Sequence, residues 1–145
     1  MIPPLGEAVS ASLILARAEA GRHGHPSAAT EHLLLALATI AGPELSDILG
    51  ALGTSCEALR AAVRTVITPG KPSREPVQRL TPRTKVALDL AVSFADRRRA
   101  HRIGAEHLLY GLTAEREGLA AQVLLSLGIT AATVDRLLPA LEPAA

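Results

Sequence analysis

Aromatic residues are nearly absent from this chain of 145 residues, with one Phe, one Tyr and no Trp. A β-sandwich or barrel draws on Val, Ile, Thr and aromatic side chains, so the shortage argues against an all-β fold. Cysteine is as scarce. Cys56 stands alone, which excludes an internal disulfide and a thiolate metal cluster and fits a reducing compartment. Charge of one sign is also lacking. The 15 basic and 14 acidic residues leave a net charge of +1, too little to draw in nucleic acid or an acidic membrane. The longest mostly apolar run, from about Leu33 to Ala41, falls well short of the ~20 residues of a membrane span. Met1-Ile2-Pro3-Pro4 offers neither the basic nor the apolar region of a signal peptide, so the expected location is the cytoplasm.

Alanine and leucine are what the chain has in excess, 27 and 24 residues respectively. Both are strong helix formers, and a hydrophobic content of 48% is far too high for a disordered chain. The composition predicts an all-α protein of one ordinary domain's length.

The sequence also repeats itself. Thr30-Glu31-His32-Leu33-Leu34-Leu35-Ala36-Leu37 recurs as Ala105-Glu106-His107-Leu108-Leu109-Tyr110-Gly111-Leu112, an offset of 75 positions. The same ungapped offset pairs Leu13 with Leu88, Ala16 with Ala91, Ala20 with Ala95, Leu49 with Leu124, and Leu52-Gly53 with Leu127-Gly128. One constant offset over this span indicates a duplication. We therefore divide a single domain, residues 1–145, into repeat 1 (5–67), a linker (68–79) and repeat 2 (80–142). The linker holds three prolines and a glycine and is expected to be extended or disordered. A repeat of roughly 63 residues is marginal for a core of its own, so the two should pack together.

Each repeat reads as four helices. The first should run from about Glu7 to Arg22, with Val9, Leu13, Ala16 and Ala20 on one stripe. Its counterpart should start after Thr81, an N-cap followed by Pro82 in the first turn. The second helix follows the Glu-His step. The third covers about Pro43–Leu52 and Leu119–Leu127, and the fourth starts at Ser55 or Thr130. The expected architecture is two tandem four-helix repeats related by a pseudo-two-fold axis, eight helices in all.

Gly24-His25, Thr30–Leu37, Leu80-Thr81-Pro82-Arg83-x-Lys85, Arg116-Glu117-Gly118 and Leu127-Gly128-Ile129 occur in an order and spacing that resembles the N-terminal (Clp repeat) domain of ClpC/ClpA-type AAA+ unfoldases. The resemblance covers essentially the whole chain. It implies a non-enzymatic binding module for adaptors, for tagged client proteins, including arginine-phosphorylated ones, or for Clp-directed cyclic-peptide antibiotics. The 145 residues contain no Gly-x-x-x-x-Gly-Lys-Ser/Thr loop to cradle ATP phosphates, and no cofactor is expected. The chain is read either as a stand-alone relative acting as a decoy, which the divergence of its first repeat favours, or as a piece of a longer protein. Implied partners are Clp unfoldase or protease components, adaptors and clients, not nucleic acid or membrane, and the domain is expected as a monomer.

The resemblance also implies site residues. Glu106 and Glu31 would grip the guanidinium of phosphoarginine, although a carboxylate in the first helical turn also simply complements the helix dipole. For Glu106 the phosphate side would be Thr81, Pro82 and Arg83, a helix start with a cation. For Glu31 it would be Gly6, Glu7 and Ala8, which lack hydroxyl and cation. Leu5, Leu80 and Lys85 correspond to the antibiotic-binding face, with leucine where relatives carry Phe. Their plainer role is as staples at the start of each first helix.

Other candidates have simpler readings. His32 and His107 lack the second histidine of a His-Glu-x-x-His zinc helix, so they should bond backbone at a helix start, and no metal site is assigned. Arg97-Arg98-Arg99 with Arg102 reads as solvated charge near a helix C-terminus. Cys56 reads as a small hydrophobe. No Ser/His/Asp grouping or paired carboxylates argue for an enzyme. The alternative function is a regulatory or sensor domain that binds a small apolar or peptide ligand between the repeats.

Overall fold

The computed structural model describes residues 2–141. Eight α-helices follow one another: α1 (Glu7–Arg22), α2 (Thr30–Ile40), α3 (Gly42–Ala51), α4 (Cys56–Val66), α5 (Pro82–Arg97), α6 (Ala105–Ala114), α7 (Leu119–Ser126) and α8 (Ala131–Leu141). The described residues contain no β-sheet, so the fold is all-α. No single helix among them is long and apolar enough to cross a membrane.

Helix starts follow local chemistry. Thr81 Oγ1 accepts from the Thr84 amide (3.2 Å), Ser55 Oγ from the Ala58 amide (3.1 Å) and Thr130 Oγ1 from the Thr133 amide (3.3 Å). Each bond satisfies one of the amides that a helix start leaves unpaired. α2 is buried along its whole run from Thr30 to Ala38, as a helix apolar on every side must be. It packs against α1 and α4 of its own repeat and also against α5, α6 and α7 of the other. Leu33, Leu34 and Leu37 from α2 and Leu108, Leu109 and Leu112 from α6 are fully buried in one continuous core.

Two parallel bridges cross between the repeats. In one, the Ala28 amide donates to Arg79 O (2.8 Å) and the Thr81 amide to Ala28 O (3.0 Å). In the other, the Ile103 amide donates to Pro4 O (2.8 Å) and the Gly6 amide to Ile103 O (2.9 Å). The bonded positions correspond under the 75-residue offset. The chain leading into α5 is thus tied to repeat 1, and the chain leading into α1 to repeat 2.

Residues 67–81 form no helix. Of the two conformations open to the Pro-rich segment, the structure shows the extended one, running as a strap along the C-terminal half of α1. The Gly70 amide donates to His23 O (2.7 Å), the Ser73 amide to Gly21 O (2.9 Å) and the Val77 amide to Arg17 O (3.1 Å). The approach is close enough that Gly21 has no room for a Cβ, which would collide with Glu75 O. Gly24, at φ +75°, ends α1 in the left-handed region directly under the Lys71 backbone.

Candidate functional site

The crossed bridges decide which helix starts meet. A cavity of about 470 Å³ is lined by Ala29, Thr30 and Glu31 at the start of α2, Thr81, Pro82 and Arg83 at the start of α5, and Glu117, Gly118, Leu119 and Gln122 at the start of α7. Three helix N-termini therefore face one space, each carrying a partial positive charge of roughly half a unit. The Thr30 hydroxyl accepts from the Ala120 amide (3.2 Å) and ties α2 to α7. Thr84 Oγ1 donates to Ala28 O (3.0 Å) and ties α5 to the entry of α2. Arg83 Nη1 donates to Glu117 O (2.6 Å), with Nη2 3.8 Å from Glu117 Oε2, so the guanidinium stands at the rim.

Two acidic residues line this cavity, Glu117 at the rim beside Arg83 and Glu31 at the α2 start. Glu31 is only 6% exposed, and its carboxylate has no ion-pair or hydrogen-bond partner among the described residues. A cationic group of a ligand would give this carboxylate the partner that no described residue supplies. The cavity thus brings together an unpartnered carboxylate, Glu31, the N-termini of α2, α5 and α7, and the Arg83–Glu117 pair at its rim.

This arrangement corrects the expected pairing. Thr81, Pro82 and Arg83 lie with Glu31 of repeat 1, not with Glu106. Glu106 lies instead near Gly6: Arg102, which pairs with Glu106, also stands against Gly6, while the Gly6 amide bonds Ile103 O. Sequence order suggested that each glutamate works with the first helix of its own copy. The crossed bridges exchange those partners.

The remaining candidates fall elsewhere. Leu5 is 45% exposed, Lys85 is exposed and Leu80 half-buried; the backbones of Leu5 and Leu80 carry the two bridges. Each histidine caps its own helix, His32 Nδ1 accepting from the Ala29 amide (2.9 Å) and His107 Nδ1 from the Gly104 amide (2.9 Å). Burial, with His25 and His23 adding like charge nearby, lowers the His32 pKa to about 4, so the ring is neutral at pH 7. Arg98 bonds Asp135 Oδ1 (3.3 Å) and lies 5.2 Å over the Phe94 ring, tying α5 to α8. Cys56 is half-buried against the core in the first turn of α4. An apolar groove of about 370 Å³, lined by residues such as Ala121, Leu125 and Ile129, lies within repeat 2 rather than between the repeats.

Arg102, which in sequence reads as part of a solvated basic run, stands in the structure between the carboxylates of Glu106 and Glu44. The signal was available in the repeat alignment, where Arg102 matches Ser27 four positions before a glutamate.

Comparison with known proteins gives a consistent picture. The profile of the Clp repeat (R) N-terminal domain matches residues 5–127 and 79–142. The negative regulator of genetic competence ClpC/MecB of Bacillus subtilis is 36% identical over 118 residues, which cover 81% of this chain and 14% of that protein. The chloroplastic chaperone protein ClpC1 of rice (Oryza sativa subsp. japonica) is 37% identical over 116 residues, 80% of this chain and 13% of that one. The chain thus spans about one seventh of these relatives' length. The crystal structure of the N-terminal domain of the Arabidopsis thaliana chaperone ClpD superposes with a TM-score of 0.69 at 23% identity, covering 93% of this chain and 94% of that one, and shares the fold.

Proposed function

Since the chain belongs to the Clp repeat (R) N-terminal domain family, we propose that it is a non-enzymatic binding module whose cavity at the α2, α5 and α7 starts takes phosphorylated arginine on client proteins. The observation that carries this reading is the unpartnered carboxylate of Glu31, a residue only 6% exposed, in one cavity with Thr81, Pro82 and Arg83. A phosphorylated guanidinium places a cationic group directly beside an anionic one. Glu31 suits the first by paired N–H···O bonds, and helix N-termini with an arginine suit the second. Neither half of the site suits arginine alone or inorganic phosphate alone as well.

Family membership extends the proposal to adaptors and Clp protease components as partners. As a free domain it would act as a decoy that withholds tagged clients from a full-length unfoldase. Titration calorimetry of the 145-residue chain with free phosphoarginine tests the reading. Saturable binding is expected, weakened at least 10-fold by Glu31→Gln. Absence of binding at millimolar ligand, or binding indifferent to Glu31→Gln, refutes it.

A further inference from the structure

We propose that Arg102 is a built-in occupant of the second pocket, its guanidinium filling at the α6 start the place that the α2 start leaves open for a partner. The inference rests on the reading of the open cavity given above. Arg102 Nη1 lies 3.4 Å from Glu106 Oε1, and Nη2 lies 3.8 Å from Glu44 Oε2. Glu106 is the repeat counterpart of Glu31. One carboxylate therefore already holds a guanidinium from its own chain, while the other holds nothing among the described residues.

Four counterpart positions differ in the same sense. Arg102 stands where repeat 1 has Ser27, which has no guanidinium to offer. Gly104 stands where repeat 1 has Ala29, and a Cβ on Gly104 would collide with Arg102 Nη1 and Glu106 Oε1. Gly6 stands where the open site has Thr81, and a Cβ there would come within 3.1 Å of Arg102 Cδ and 2.9 Å of Ile103 O. Glu44, the second carboxylate partner, stands where the open site has Leu119. Two of these residues form the guanidinium–carboxylate contact, and the two glycines clear its path. Arg83 meanwhile corresponds to Ala8, so the filled pocket has lost the cation of its phosphate side.

Arg102 is 47% exposed at its side chain, and ion pairs at such exposure are individually weak. Tethering compensates, because an intramolecular guanidinium is always present at high effective concentration. The filled pocket is thus closed to weak guanidinium ligands and can be opened by removing one side chain.

The test is a two-dimensional amide NMR titration of the 145-residue chain and of Arg102→Ser, with methylguanidinium and phosphoarginine as separate probes. In the parent chain, methylguanidinium should leave the Gly104–Glu106 amides unmoved. In Arg102→Ser, which restores the repeat 1 residue, it should shift them saturably, with at least 10-fold tighter binding than the parent. Glu44→Gln, a milder variant that keeps Arg102 but removes one partner, should fall between the two. Equal response of parent and Arg102→Ser overturns the proposal, and so does the absence of any response at Gly104–Glu106 in the variant. Phosphoarginine read at the Ala29–Glu31 amides is a separate arm. Its failure in both proteins would refute the function proposed for the open cavity, and methylguanidinium would still decide the role of Arg102.

Discussion

Where α5 turns toward α6, the Phe94 and Tyr110 rings stack 3.8 Å apart and 7° from parallel, with His107 edge-on to Phe94 at 5.9 Å and the Arg98 guanidinium 5.2 Å from the Phe94 ring centre. The counterpart corner between α1 and α2 holds Glu19 for Phe94, Leu35 for Tyr110, His23 for Arg98 and His25 for Ala100. There His25 sits edge-on to His32 at 4.7 Å, and Glu19 bonds Arg22 at 2.7 Å. Both aromatic residues of the chain have been spent on one corner, and three of the five histidines crowd the other. The duplicated backbone tolerates either solution because the histidine capping each helix start, His32 or His107, is kept. What differs is the source of stability: buried ring contact in repeat 2, a solvent-edged polar cluster in repeat 1.

The largest expected contrast comes from truncating the two counterparts. Phe94→Ala should cost about 3–5 kcal/mol in urea unfolding, the range for a buried aromatic. Glu19→Ala, which loses an ion pair to a largely exposed Arg22 and a longer contact to His23, should cost about 1 kcal/mol or less. Equal costs would show that the two corners contribute alike.

Next in size is a pH effect at His32 in repeat 1. Folded His32 stays neutral until about pH 4, whereas an unfolded histidine takes a proton near 6.5. Between these values the unfolded state binds more protons, so stability should fall as the pH drops from 6.5 to 4 and be fully present above 6.5. The loss should be on the order of 3 kcal/mol, and His32→Gln, which can still accept from the Ala29 amide, should remove most of that slope. A slope unchanged in His32→Gln would assign it to other groups.

A contrast of opposite signs concerns the ends of α1 and α5. Gly24, at φ +75°, lies under the strap, and its counterpart Arg99 takes a similar left-handed φ of 55°. Gly24→Ala should cost more than about 2 kcal/mol, because a left-handed residue with a Cβ costs ~1–2 kcal/mol and this Cβ would also displace Lys71. Arg99→Gly should instead stabilise by up to about 1 kcal/mol. Thermal melts of the two variants would sharpen the comparison if they shift in opposite directions, and break it if they do not.

Helix positions were legible because their causes are local. The apolar stripe of α1, the hydroxyls of Ser55, Thr81 and Thr130, and the glycines at 53 and 128 act within a few residues, and α1 begins and ends where its pattern does. The lining of the cavity was legible in part. Glu31, Thr81, Pro82 and Arg83 were recognised as candidates from their places at helix starts, but Thr81–Arg83 were assigned to Glu106. The error arose because helix periodicity says nothing about which start faces which. Arg102 was hidden for a related reason, since a basic run looks solvated until a carboxylate from another helix, Glu44, is brought beside it.

The 75-residue duplication, the eight helices and their caps, and the family follow from the order of residues alone, since each depends on neighbours in the chain. Which carboxylate remains open and which is filled, and where the Pro-rich segment lies, were decided in three dimensions. Two backbone bridges carry the entry of each first helix onto the opposite repeat, and that crossing joins Thr81 to Glu31 while it leaves Glu106 to Arg102.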